Sequence, residues 1–289
     1  LVWRFVPDTR EQAAGRLDIP GFLLSALGLT MLLAGLEAFT QGSAGLPLVA
    51  VLLAAGVVLG VAATWHFQRV ANPLLDLSAF RLQTFALSTL SAGTALRTSI
   101  NATPFLIPLF LQVGFGYDAI RAGGYLLVYF AGNLAMKTVT TRTLRAFGFR
   151  RVLVVNGLIA SGSIIACGFL TPSTPEAVAI LLLFIAGLSR SMQFTALNTI
   201  GFADIAPAQR SSASTLSSML QQVSMLLGVA IAAAILNLAG LIRAGSGTPL
   251  ADFRWAFAVV GAIGIASSFR FLSLPPDAGA EVSGHGQQR

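Results

Sequence analysis

Residues 46–67 read LPLVAVLLAAGVVLGVAATWHF, a run with no Asp, Glu, Lys or Arg. The hydrocarbon core of a bilayer is about 30 Å thick, and an α-helix needs about 20 mostly apolar residues to cross it. This stretch therefore predicts a membrane-spanning helix. Residues 20–39 form a second, almost purely apolar run with Glu37 near its outer end, and only the short polar turn at 40–45 separates the two. Together they predict a tight helical hairpin.

The composition of the whole chain supports a bilayer setting. Hydrophobic residues make up 55% and charged residues 10% of the 289 positions, whereas about a quarter of an ordinary soluble domain is charged. A soluble fold of this length would lack the charge to cover its surface. The net charge of +7 arises from basic residues that lie mainly between the apolar runs, which argues against nucleic acid as a partner.

Eight apolar runs are bounded by charge, glycine or proline, and they predict an all-α membrane protein with eight transmembrane helices. The runs are 20–39, 46–67, 84–112, 120–140, 152–170, 177–200, 212–241 and 254–272. The chain accordingly divides into a cytoplasmic segment (1–19), a helical hairpin (20–67), a cytoplasmic connector (68–83), a six-helix bundle (84–274) and a disordered cytoplasmic tail (275–289). Residues 1–10 lack a signal peptide and the first residue is Leu, so we expect the chain to be truncated at its amino end.

The distribution of Lys and Arg predicts that both termini are cytoplasmic. With the amino end inside, three basic residues lie outside: Arg121, Arg243 and Arg254. Thirteen lie inside: Arg4, Arg10, Arg16, Arg69, Arg81, Lys137, Arg142, Arg145, Arg150, Arg151, Arg210, Arg270 and Arg289. The two that remain, Arg97 and Arg190, fall within apolar runs.

Arg97 and Arg190 are the strongest site candidates, because a charge near mid-membrane is normally buried in protein or lines a wet cavity. Asn101 lies on the helical face of Arg97, and Gln193 follows Arg190 by one turn. Pro104 and Pro108 remove backbone donors and predict a kinked helix. The alternative for Arg97 is a structural role in which its side chain ties helices together at that kink.

No acid lies in a helix middle in the last six runs. The arginines would therefore meet either carboxylates from a part of the protein absent here or an anionic substrate in a water-filled cavity. Gln222, on a helix rich in small residues that favour close packing, is a further cavity candidate.

The segment KTVTTRTLRAFGFRR at 137–151 combines five basic residues with Gly148. The preference for positive charge on the cytoplasmic side would explain the charges but not the glycine. Enzyme signatures are missing: His66 and His285 are isolated, and there is no Walker-type phosphate-binding motif. The lone Cys167 is expected to serve packing, and neither a disulfide nor a cysteine-based metal site can form within the chain.

On these residues the chain resembles the fourteen-helix drug:proton antiporters of the major facilitator superfamily, the multidrug exporter group. The similar segments are PDTREQAAGRLDIPGFLLSALGLTMLLAGLE (7–37), NPLLDLSAFR (72–81), TPFLIPLFLQVGFGYDAIRAG (103–123), AGNLAMKTVTTRTLRAFGFRRVLVVNG (131–157), QFTALNTIGFADIAP (193–207) and SASTLSSMLQQVSMLLGVAI (212–231). One departure is Gln221, where relatives often carry an arginine.

The resemblance implies that the first two helices are linker helices and the last six form the carboxy-terminal transporter bundle. It implies a cytoplasmic gating loop made by Lys137, Arg142, Arg145, Gly148, Arg150 and Arg151, and a missing amino-terminal six-helix half that carries the main proton-handling acids. The expected activity is proton-driven export of drugs or amphipathic compounds across a bacterial inner membrane, with no cofactor. The alternatives are an importer or metabolite exporter of the same fold and a nonfunctional remnant.

Overall fold

The computed structural model describes residues 18–42, 45–243 and 249–284, and within these ranges the chain forms helices joined by turns, with no strand. Eight of the described helices are long: α1 Ile19–Gln41, α2 Leu46–Phe67, α3 Ala92–Leu109, α4 Ala119–Met136, α5 Thr140–Cys167, α6 Glu176–Gly201, α7 Arg210–Arg243 and α8 Pro249–Arg270. The predicted all-α class is confirmed.

Six described segments are long and apolar enough to cross a membrane: Ile19–Gln41, Leu46–Phe67, Thr140–Cys167, Glu176–Gly201, Pro207–Gly240 and Leu250–Ser273. The other two long helices, α3 and α4, have 18 residues each and contain Arg97 and Arg121 respectively. Their polar residues lower the mean hydropathy. A membrane crossing by α3 and α4 therefore stays a prediction.

The hairpin of α1 and α2 is held by close backbone contact at glycines. A Cβ atom on Gly56 would lie 2.6 Å from the backbone nitrogen of Leu32, and one on Gly35 would lie 2.9 Å from the Leu53 side chain. Small residues allow this approach, and dispersion forces then hold the helices together. The hairpin packs against α7.

The remaining helices form the bundle. Helix α4 packs on α6, α6 on α5, α5 on α8, and α8 on both α3 and α7, which also pack on each other. Gly132 and Gly187 bring α4 and α6 together, because a Cβ on Gly187 would collide with the Tyr129 carbonyl oxygen. Cys167 is 1% exposed in this core, as expected for a packing residue.

The predicted run 84–112 is not one uniform helix. A single helical turn, Gln83–Phe85, leads into a π-helical turn, Ala86–Leu90, and the backbone breaks at Ser91 (φ −99°, ψ −96°) before α3 begins. Helix α3 continues through Pro104 and Pro108, and a second π-helical turn, Phe110–Gly114, follows it. The kink predicted at the two prolines stays a prediction.

Two polar contacts anchor the connector 68–83. Asp18 caps α1, and its carboxylate accepts hydrogen bonds from the Leu74 backbone N–H (3.2 Å) and contacts Nε2 of His66 (2.8 Å). The His66 contact, opposed by burial, holds the pKa of Asp18 below its usual value. Gln209 donates to the Ser78 hydroxyl (2.6 Å). The connector is thus tied to both the hairpin and the start of α7.

The tail differs from the prediction of a disordered segment at 275–289. Within it, residues 275–284 form turns and a four-residue helix, Ala280–Ser283, that packs on α5. Gly279 lies so close to the Phe149 ring that an added Cβ would be 2.7 Å from it. These apolar contacts order the tail although its own composition is polar. Residues 285–289 lie outside the described part, as do 1–17.

Candidate functional site

The Arg97 side chain is buried and ties two helices together. It is 1% exposed. Its Nη1 donates to the Ser88 carbonyl oxygen in the first π-helical turn (2.7 Å), and its Nη2 donates to Oδ1 of Asn198 on α6 (2.8 Å). The buried Nε has no partner in the described structure. Arg97 therefore has the structural role that was the alternative prediction, and its assignment to a cavity wall is corrected, because these contacts leave almost none of it accessible.

Arg190 has a different environment. It is only partly buried, and its Nη1 donates to the Tyr129 hydroxyl on α4 over a long 3.5 Å contact. Its guanidinium carbon lies 4.9 Å from the centre of the Phe194 ring. Cation–π attraction and one weak hydrogen bond thus hold the side chain and leave donors of the guanidinium available.

Phe194 joins the two arginines. The guanidinium carbon of Arg97 lies 6.0 Å from the centre of the same ring. Arg190, Phe194 and Asn198 recur every four residues and so share one face of α6, over about 12 Å of helix. Asn198 is exposed, whereas Phe194 is half-buried. We call these three residues, with Arg97 and Tyr129, the α6 cluster.

Neither guanidinium is neutralised by the part of the chain that is described. The contact between His66 and the Asp18 carboxylate lies far along the chain from the cluster. Within the described bundle, Asp118, Glu176 and Asp204 lie at helix ends or in loops, as predicted. The cluster therefore has two cations around one ring and no described carboxylate within 4 Å of them.

Gln193 does not line a cavity, contrary to the prediction. It is 0% exposed, donates to the Leu153 carbonyl oxygen (3.2 Å) and accepts from Nδ2 of Asn156 (2.8 Å). Asn156 also donates to the Ser189 carbonyl oxygen. The amides of Gln193 and Asn156 thus hydrogen-bond within the contact between α5 and α6. Gln193 projects from the side of α6 that faces α5, whereas Arg190 contacts α4.

Asn101 and Gln222 keep some access to the surface. Asn101 on α3 is half-buried, and Gln222 on α7 is exposed. The two helices touch nearby, where a Cβ on Gly228 would meet the backbone of residues 98–102. Their part in a substrate cavity stays a prediction.

The basic segment contains a sharp break at Gly148. Its φ of 73° and ψ of 162° interrupt α5 in a region of backbone space that is essentially restricted to glycine. A short helix from Thr140 thus precedes the long arm of α5, instead of the predicted start at 152. Lys137, Arg142, Arg145 and Arg151 are exposed and Arg150 is half-buried.

A groove beside this segment has a volume of about 370 Å³. Arg151 and Asn156 line it together with apolar side chains from α4, α5 and α6. The chain has no acidic residue between Asp118 and Glu176, so the segment has a strongly positive surface. The break in α5 gives a structural reason for Gly148, which the preference for positive charge on the cytoplasmic side did not explain.

Four residues that contact Arg97 or Arg190 were not among the predicted site residues: Ser88, Tyr129, Phe194 and Asn198. The four-residue spacing of Arg190, Phe194 and Asn198 could have indicated Phe194. No local signal could have indicated Ser88 or Tyr129, because their contacts depend on the π-helical turn and on the glycine contact of α4 with α6.

Comparison with known proteins agrees with this architecture. The family profile of the Major Facilitator Superfamily matches residues 98–289. Proteins of Escherichia coli O6:H1 and Escherichia coli O6:K15:H31, both named for multidrug resistance as MdtD, are 33% identical to the chain over 273 residues, 93% of its length. The chain spans 57% of the length of each of these relatives.

Proposed function

The chain belongs to the major facilitator superfamily, and we propose that the protein containing it exports amphipathic organic compounds in exchange for protons. The family consists of multi-pass membrane transporters and not of enzymes, as the sequence predicted. Its members bind substrate near the midplane between two six-helix halves and expose the site alternately to the two sides by rocking one half against the other.

The α6 cluster carries the proposal. A half-buried cation on a helix of a transporter bundle is costly unless it meets water, a counter-charge or substrate. Arg190 meets no described carboxylate, and Phe194 beside it offers an apolar ring. Arg190, Asn198, Asn101 and Gln222 would line one wall of the cavity, and Arg97 would fix α3 against α6.

The other wall would belong to an amino-terminal six-helix half, which would also supply the proton-handling acids. In this proposal the proton gradient is the energy source and no cofactor takes part. The protein lies in a bacterial inner membrane with both termini of the chain cytoplasmic, because thirteen of the basic residues then fall inside. The hairpin α1–α2 joins the two halves.

The basic segment would act as the cytoplasmic gate. Gly148 lets the short helix from Thr140 turn away from the long arm of α5, which presents the exposed arginines to the opposite half. We expect Gly148→Ala to slow transport about tenfold, since a Cβ in this conformation costs on the order of 1–3 kcal/mol. Gly123→Ala, at a site with nothing within 4 Å, is its control.

The test uses the full-length protein in proteoliposomes. We expect an imposed proton gradient to drive accumulation of an amphipathic dye, and we expect collapse of the gradient with an uncoupler to stop it. Arg190→Gln should abolish most of this flux. Movement of the dye in the same direction as the protons would instead indicate an importer. Absence of flux for every dye, drug, sugar and amino acid tested would contradict the proposal.

A further inference from the structure

The exposed part of the α6 cluster offers hydrogen-bond donors only. A guanidinium donates and cannot accept, so the contact between Arg97 and Asn198 must use the amide oxygen of Asn198. The amide NH₂ group is then the one left over, and it makes no hydrogen bond to the described residues. Arg190 adds the donors that its single long contact with Tyr129 does not use.

An apolar surface lies directly between these donors. Phe194 is half-buried. The guanidinium carbon of Arg190 on α6 lies 4.9 Å from the centre of its ring, and that of Arg97 on α3 lies 6.0 Å from it. A ring so placed would contact the body of a ligand while the donors on either side of the ring bind polar groups of that ligand. The combination fits a molecule with one charged group and one apolar part.

The charge of the site decides the sign of that group. The guanidinium groups of Arg97 and Arg190 repel a cationic group of a ligand, and this repulsion is stronger in the protein interior than in water. An anionic group, in contrast, forms charge-assisted hydrogen bonds with a guanidinium, which are about twice as strong as neutral ones. The described bundle offers no carboxylate to offset the arginines for a cationic compound.

We propose that Arg190 binds the anionic group of an organic substrate whose apolar part lies against Phe194 and whose far end accepts a hydrogen bond from the Asn198 NH₂ group, so that the exported compounds are organic anions. The inference rests on the proposed export function and narrows its substrate class. Arg97 is a positioning residue, because it holds the oxygen of Asn198 and thereby leaves the NH₂ group for the ligand.

The test compares two dyes that share a xanthene scaffold and differ in charge: fluorescein as the anion and rhodamine 6G as the cation. Binding to the purified full-length protein at pH 7.5 is measured by fluorescence polarisation. We expect tighter binding of fluorescein. Arg190→Gln should weaken fluorescein binding roughly tenfold to a hundredfold, as for loss of a charged hydrogen-bond partner, and should leave rhodamine 6G binding equal or stronger.

Asn198→Asp gives an independent reading. It keeps an oxygen that can accept from Arg97 and replaces the NH₂ group by a negative oxygen, so we expect weaker fluorescein and stronger rhodamine 6G binding. Arg121→Gln is the matched control, because that arginine also lies on an aromatic ring, 3.9 Å from the centre of Tyr117, but at the exposed end of α4. It should change neither affinity.

Three outcomes would overturn the inference: a wild-type preference for rhodamine 6G, unchanged fluorescein binding in both cluster variants, or equal loss of both dyes in Arg190→Gln. The last would mean that Arg190 pairs with an acid of the protein itself. Proton-driven export of rhodamine 6G with no response to fluorescein would leave the proposed export function intact and remove only the anion specificity.

Discussion

The hairpin α1–α2 and the bundle α3–α8 are both helical and apolar, yet different contacts hold them. Every polar residue of the described structure that is buried as a whole lies between residues 84 and 268, in the bundle and the turns that lead into it, whereas at the hairpin only the Asp18 carboxylate at its polar end is sequestered. The hairpin relies on glycines and shape, while Leu23, Val51 and Trp65 face outward. Polar groups are thus placed where a site is built, and the connecting element avoids their desolvation cost.

The largest expected effect tests the glycine contact inside the bundle. Gly187→Ala forces a Cβ against the Tyr129 carbonyl oxygen, and neither backbone can move without disturbing the α6 cluster. We expect a loss of about 3 kcal/mol in the free energy of unfolding, measured by circular dichroism in mixed micelles as the denaturing detergent increases. Gly162→Ala, where nothing lies within 4 Å, should be neutral or slightly stabilising. Equal stability of the two variants would mean that α4 and α6 are not in tight contact.

The next effect separates the two arginines. Arg97→Gln leaves the Ser88 carbonyl oxygen and the amide oxygen of Asn198 without their shared donor, so we expect a loss of about 2 kcal/mol in the free energy of unfolding. Arg190→Gln loses one long hydrogen bond and one cation–π contact of a partly exposed side chain, and should cost less than about 1 kcal/mol. The same unfolding assay measures both. A larger loss in Arg190→Gln would reverse the roles assigned to the two residues.

A smaller loss is expected in the hairpin. Gly56→Ala places a Cβ 2.6 Å from the backbone nitrogen of Leu32, but α1 can move outward more easily than a bundle helix because, apart from α2, it packs on α7 and the connector alone among the described elements. We expect about 1.5 kcal/mol and a greater distance between spin labels at residues 31 and 57. Gly60→Ala, one turn farther on with nothing within 4 Å, is the control. A loss as large as that of Gly187→Ala would remove the contrast between the two regions.

The smallest effect concerns the polar end of the hairpin. Because the folded-state pKa of Asp18 is lowered, its carboxylate stabilises the fold above the unfolded-state pKa of about 4, and this contribution is lost as the pH falls through the lower folded value. Asp18→Asn should cost less than about 1 kcal/mol at pH 7, and the difference from wild type should shrink below about pH 4. A difference that stays constant between pH 7 and pH 3 would contradict a stabilising role of the ionised Asp18 carboxylate.

Composition and run length predicted the all-helical class and the positions of several long helices, because a bilayer sets a minimum length for a spanning helix. Run 46–67 coincides with α2, and run 177–200 differs from α6 by one residue at each end. The breaks were harder to predict. The π-helical turn at Ala86–Leu90 has no local signal, and Gly148 was singled out without its consequence for α5.

Within the site, depth in the membrane predicted that Arg97 and Arg190 matter but not how they differ. Burial of Arg97 depends on Ser88 and Asn198, which come from two other parts of the chain. Gln193 follows Arg190 by three residues and was predicted to line the same cavity, yet its amide oxygen accepts from Asn156 on α5 and its NH₂ group donates to the Leu153 carbonyl oxygen. Such pairings depend on tertiary contacts. Single-sequence reasoning could therefore name the polar residues but could not tell the buried structural ones from those that remain accessible.

Cys167, the only cysteine of the chain, is sealed in the bundle core. A thiol without solvent contact reacts slowly with alkylating reagents, so we expect Cys167 to stay largely unlabelled when a second cysteine is introduced for site-directed labelling. A cysteine introduced at the exposed position of Asn198 would be its one reactive thiol. The rate at which a membrane-impermeant maleimide modifies that thiol would then report how often water reaches this depth of the bundle.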